Sequence, residues 1–95
     1  MQYTVRTMNK QQILEELLAL LEANGVIIRP EALGGSGGGL CTIKGNTVFF
    51  ADTQAPSSEV AALCAEALSK IVDIETVYIK PEVRQFVENY SNQTT

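Results

Sequence analysis

The sequence holds no histidine and no tryptophan, and its only cysteines are Cys41 and Cys64. Without histidine, a single chain cannot assemble a Ser-His-Asp or Cys-His nucleophilic site. Two thiols alone make a poor zinc site, so neither a metal nor a cofactor is expected. Cations are scarce too: Arg6, Lys10, Arg29, Lys44, Lys70, Lys80 and Arg84 stand against eleven acids, a net charge of −4. Nucleic-acid-binding domains usually carry a basic face and a pI above about 9, so nucleic acid is not an expected partner. The chain lacks a run of about 18 apolar residues, which excludes a membrane-spanning helix and a membrane partner of that kind. Its first residues also lack the basic start and apolar core of a secretory leader. Two isolated cysteines in that setting read as reduced thiols of a cytoplasmic protein.

What is present is ordinary globular material. Apolar residues make up 45% of 95 positions, enough to exclude disorder and to place residues 1–95 in a single domain. Residues 1–8 lack a period and are expected to form an N-terminal arm, and residues 91–95 a polar tail. A chain of this size has a limited core, which favours self-association, and the expected oligomer is a homodimer.

Asn9 with Gln12 has the spacing of a capping box. Behind it Ile13, Leu14, Leu17, Leu18 and Leu21 recur at helical intervals until Asn24-Gly25. Residues 26–29 read as a strand ended by Pro30. Residues 33–41, LGGSGGGLC, then concentrate five of the seven glycines. Residues 40–44 read as a second strand, Gly45-Asn46 as a two-residue turn of type II′, and residues 47–52 as a third strand. The unbroken apolar run Val48-Phe49-Phe50-Ala51 suggests a central strand covered on both faces. Ser57 or Ser58 is placed to cap a second helix with Val60, Leu63, Cys64, Ala67, Leu68 and Ile71 as its stripe. Residues 76–79 read as a fourth strand. Pro81 opens a last helix with Val83, Phe86, Val87 and Tyr90 inward. The expected fold is α/β (α+β) with the order α-β-β-β-α-β-α. It has a four-stranded mixed sheet of order 1-2-3-4 flanked by helices, its first three strands a meander and its last joined through a right-handed crossover.

Four features are candidates for chemistry. Stacked N–H groups of a glycine-rich loop can cradle an anion, which singles out residues 34–39 and in particular Gly35, Ser36, Gly37 and Gly38. A phosphate loop, however, needs G-x-x-x-x-G-K-[ST] feeding a helix, and here the segment runs from strand to strand. The plainer reading is a hairpin connection that needs glycine for its backbone. Ser36 lacks both the strand-to-helix elbow and the histidine base of a serine nucleophile. Cys41 and Cys64 read as small apolar residues. Asp52 ends the third strand, where ligands gather in α/β proteins, but an aspartate there also starts turns. Gln54 follows it, and Glu31 ends the first strand segment.

Residues 21–54, LEANGVIIRPEALGGSGGGLCTIKGNTVFFADTQ, resemble the restriction-endonuclease-like core in its small resolvase-like branch. There a helix ends in glycine, and a strand and a glycine-containing segment lead into a strand bearing Asp/Glu-x-Lys. Asp52-Thr53-Gln54 stands at that position. The lysine is replaced by Gln54, and the second strand holds no acid to match the family's metal-binding aspartate. The resemblance therefore implies a nuclease-type fold without its cleavage chemistry. The chain also resembles short bacterial proteins with a GGLC-containing hairpin. The leading expectation is a non-enzymatic interaction module that self-associates. The alternatives are small-ligand or anion binding at residues 34–39, with Asp52 and Gln54 beside them, and an inactive relative of the nuclease fold.

Overall fold

Asn9 opens the first helix, α1 (Lys10–Ala23), in the computed structural model, which describes residues 9–36 and 38–91. The expected arm (residues 1–8), Gly37 of the glycine loop and residues 92–95 of the tail lie outside the described residues. The Gln12 N–H donates to the Asn9 side chain at 2.8 Å, and the Asn9 N–H donates to the Gln12 side chain at 2.9 Å. This is the reciprocal box the sequence suggests. Ile13, Leu14, Leu17 and Leu21 form the buried face, with Leu18 partly covered at its side.

Three strands follow: β1 (Ile27–Glu31), β2 (Gly38–Ile43) and β3 (Asn46–Asp52). Their order is β1-β3-β2, with β1 parallel and β2 antiparallel to β3. The expected four-stranded sheet of order 1-2-3-4, with a meander of its first three strands, is therefore incorrect. β3 is central because β1 pairs on its far side. The register explains the path: Glu31 stands opposite Asp52, and Gly38 opposite Ala51. The glycine-rich segment leaves β1 at one side of the end of β3 and re-enters as β2 at the other. It is an arch over a strand end, not a hairpin between neighbours. β1 also runs through Pro30, which an edge strand tolerates because one side of its backbone is unpaired.

The β2–β3 turn differs by one residue from its expected place. Lys44 (φ 51°) and Gly45 (φ 81°) are both left-handed, which makes a two-residue type I′ connection and leaves Asn46 as the first residue of β3.

Helices α2 (Ser57–Ile71) and α3 (Pro81–Ser91) complete the fold. Pro56, not Ser57 or Ser58, is the cap residue of α2, and no side chain bonds its first turn. Ser57 Oγ donates instead to Gln11 Oε1 at 2.6 Å, tying α2 to α1.

Residues 76–79 are not a strand. Both sides of β3 are already paired, by β1 and by β2. The segment makes a turn on Asp73 instead, whose Oδ1 accepts the Glu75 N–H (3.0 Å) and whose carbonyl accepts the Thr76 N–H and hydroxyl (2.9 Å each). Arg84 then holds it from α3, donating to the Ile74 carbonyl at 2.7 Å. Tyr78 points out, 82% exposed, and Ile79 is buried in the helix layer.

All three helices lie on one side of the sheet. Phe49 and its register partners Ile28 and Leu40 join the cluster that includes Leu17, Leu21, Leu68, Val83 and Val87. Strand alternation turns the next residues, Val48 and Phe50, to the other side. Their partners there are Ile27 and Cys41, and Arg29 and Gly39. None of the described helices lies on that outer side, yet Val48 is buried there (4% exposed) and Phe50 is half-buried, so the expectation that both faces of residues 48–51 are covered holds fully for the inner face and in part for the outer one. None of the described helices is long and apolar enough to cross a membrane.

Candidate functional site

The arch and the end of β3 bring the sequence's candidate residues together, and their hydrogen bonds show what each does. The Leu33 N–H donates to Asp52 Oδ1 at 3.0 Å, and the Gln54 N–H donates to the same oxygen at 2.9 Å. The Gly34 N–H donates to Gln54 Oε1 at 2.6 Å. Ser36 Oγ donates to the Leu33 carbonyl at 3.1 Å, closing the arch on itself. On the β1 side, Thr53 donates its N–H to the Glu31 carbonyl at 2.9 Å. Asp52 is buried, 3% exposed, whereas Gly35, Ser36 and Gln54 are exposed. The turn-forming role of Asp52 and the use of its carboxylate to hold the arch are one arrangement. Two N–H groups that an anion cradle would offer, those of Leu33 and Gly34, are already engaged by this chain's own side chains.

Gly38 begins β2 so close to the central strand that a Cβ there would run into the Phe50 carbonyl, and its φ of 87° is left-handed. A Cβ on Gly39 would meet nothing. The two glycines leave an open groove of about 390 Å³ on the outer side, lined by Leu33, Gly38, Gly39, Leu40, Cys41 and Phe50. These lining residues are apolar, apart from the Cys41 thiol. A second, smaller hollow of about 190 Å³ lies at the C-terminal end of β3 among Gln11, Asp52, Thr53 and Ser57. It opens where α1 and α2 begin.

Nothing in the sequence groups Leu33, Leu40, Cys41 and Phe50 together. Cys41 reads as buried in the sequence, but it is exposed. The available signal was the spacing of Leu40, Cys41 and Phe50 on an antiparallel pair, which is readable only once the register is known. Cys64 is buried in α2, and burial pushes its thiol up to about 12. Among the described residues no three His, Cys, Asp or Glu side chains stand close enough to share a metal ion.

The two edges of the sheet differ in chemistry. β1 carries Arg29, Pro30 and Glu31; the Arg29 and Glu31 side chains pair at 3.5 Å, and the Arg29 guanidinium lies 5.9 Å from the centre of the Phe50 ring. β2 reads Gly-Gly-Leu-Cys-Thr-Ile, without a charge or a proline over six residues. Cys41, Thr42 and Ile43 are exposed on it.

No family model, curated protein or solved structure matches the chain.

Proposed function

We propose that this chain is a non-enzymatic interaction module that self-associates, with β2 and its adjoining groove as the contact surface. The observation that carries this reading is the difference between the two sheet edges. Proteins protect edge strands with charge and proline, because a bare row of N–H and C=O groups invites another strand. β1 has both protections and β2 has neither. Leu33 (37% exposed), Ile43 (40%) and Cys41 lie beside the groove, while the other exposed large apolar side chains, Ile27 (47%) on β1 and Tyr78 (82%) before α3, lie elsewhere. A reduced, cytoplasmic setting suits the two free thiols.

A second reading, a small ligand held at the arch, draws support from the groove's volume, which falls in the range of about 300–1,000 Å³ common for small-molecule sites. Its apolar walls favour an apolar ligand over an anion, since the Leu33 and Gly34 N–H groups already serve Asp52 and Gln54.

Sedimentation across a range of concentrations tests the main reading. Wild type is expected to move from the monomer mass of 10.3 kDa toward twice that value as concentration rises. Ile43→Lys, which places a charge on an exposed position of β2, is expected to remain monomeric with an unchanged circular dichroism spectrum. A wild-type mass that stays at the monomer value throughout overturns the proposal.

A further inference from the structure

We infer that two copies join through their β2 strands, antiparallel about a two-fold axis at Leu40, to make one continuous six-stranded sheet. This rests on the self-association read above and specifies its geometry.

The hairpin fixes which backbone groups are available. In a two-residue turn the flanking residues, here Ile43 and Asn46, exchange both hydrogen bonds. Alternation along an antiparallel ladder makes Cys41–Val48 the next bonded pair. Leu40 and Thr42 therefore turn their N–H and C=O groups away from β3, toward the open edge. No turn or loop bond among the described residues engages them.

A two-fold axis at Leu40 sets Leu40 opposite Leu40 of the second copy as a bonded pair. It also sets Thr42 opposite Gly38, and Cys41 opposite Gly39. This register has a steric reason to be preferred. Cys41 and Gly39 both belong to the outer side, and the space where a Gly39 side chain would stand is empty. The Cys41 thiol of each copy enters the groove that Gly39 leaves in the other. The pair is self-complementary, a property a symmetric dimer needs and an unrelated strand would have to match by chance. No like charges meet across it, since β2 carries none. Size sets the strength. A six-residue edge is about 20 Å long, so it buries well under the roughly 800 Å² per partner of a standard stable complex. The dimer should therefore be weak and concentration-dependent.

Amide hydrogen exchange, read residue by residue alongside sedimentation, tests the arrangement. Cys41 and Ile43 amides are bonded to β3 and are expected to be slow at every concentration. Protection at Leu40 and Thr42 should be slight while monomer predominates and, once dimer predominates, should rise about tenfold for each further hundredfold of concentration, the square-root dependence that mass action gives the residual monomer. Thr42→Pro removes an outward donor from an edge position and is expected to abolish both that protection and the dimer mass. Cys41→Arg, which puts a charged chain where the groove must be entered, should do the same without touching the core. A dimer by mass whose Leu40 and Thr42 amides remain fast overturns edge pairing while self-association stands. A monomer at all concentrations overturns both.

Discussion

Asp52 Oδ1 lies 3.0 Å from the amide nitrogen of Leu33, a residue 19 positions earlier in the chain, and bonds it across the end of the central strand. The same oxygen accepts the Gln54 N–H, so one carboxylate fixes both the chain leaving β3 and the arch crossing above it.

Removing that acceptor should therefore loosen two segments together. Asp52→Ala leaves two N–H groups without their partner, each costing about 1–3 kcal/mol where buried. Both bonds are only part-buried, so chemical denaturation should show a loss in the lower half of the combined range, about 2–4 kcal/mol. Asp52→Asn keeps a carbonyl acceptor of the same shape and should lose less. Equal stability of Asp52→Ala and wild type would show that the arch is held by other means.

Gly38 and Gly34 make a paired experiment. Both have positive φ, but only at Gly38 would a Cβ strike backbone, the Phe50 carbonyl. Gly34→Ala should cost about 1–2 kcal/mol, the price of a left-handed non-glycine residue. Gly38→Ala carries that cost plus a displaced strand, and should exceed it by at least about 2 kcal/mol. A Gly38→Ala protein as stable as Gly34→Ala would mean that β2 shifts freely at its first residue.

Local features of this chain are legible in its sequence wherever neighbouring residues decide them. The Asn9–Gln12 box, the Ile13–Leu21 stripe and Pro81 at the head of α3 depend on side chains within one turn of each other. The sheet order is not local. Nothing in residues 32–36 states that they cross over a strand that follows them in sequence; that depends on Asp52 and Gln54 reaching back to Leu33 and Gly34. Residues 76–79 have the composition of a strand and its alternation, Tyr78 out and Ile79 in. They form no ladder; the turn on Asp73 and the Arg84 bond to the Ile74 carbonyl hold the segment against the helices instead. Of the candidate site, Asp52, Gln54 and the glycines were visible as a group. Their role as supports of an arch, rather than as ligands, required the register.

Arg84 provides a check on the segment that replaces the fourth strand. It is 29% exposed, donates to the Ile74 carbonyl and pairs with Glu88 at 3.4 Å. Arg84→Met keeps much of the aliphatic stem and removes every donor. A loss of about 1.5–3 kcal/mol is expected, the range for a hydrogen bond involving a charged group. Proteolytic cleavage within residues 72–80 should accelerate relative to cleavage elsewhere, while Arg84→Lys should fall between the two. Unchanged cleavage in Arg84→Met would show that the Asp73 turn alone holds the segment.

The two thiols should behave differently, and the difference has a consequence at alkaline pH. Cys41 is exposed, and a thiol reagent should modify it rapidly in the native protein. Cys64 is 0% exposed and its thiol is pushed from 9.0 up to about 12 by burial, so it should react only after unfolding. The sign of the pH effect follows from which state ionises first. Below about pH 9 the thiol is protonated in both states, and its burial contributes fully to stability. Above that value the unfolded chain releases the proton while the folded one retains it, so stability is lost as pH climbs from 9 toward 12. Other groups titrate in the same window, and Cys64→Ala separates them. The variant should lose about 1 kcal/mol at neutral pH from its smaller side chain, and its stability should then fall less steeply than wild type across the alkaline range. Denaturant midpoints measured at several pH values above 8 provide the comparison. Parallel curves for the two proteins, or rapid labelling of Cys64 in the native state, would show that the thiol is not sealed in the core.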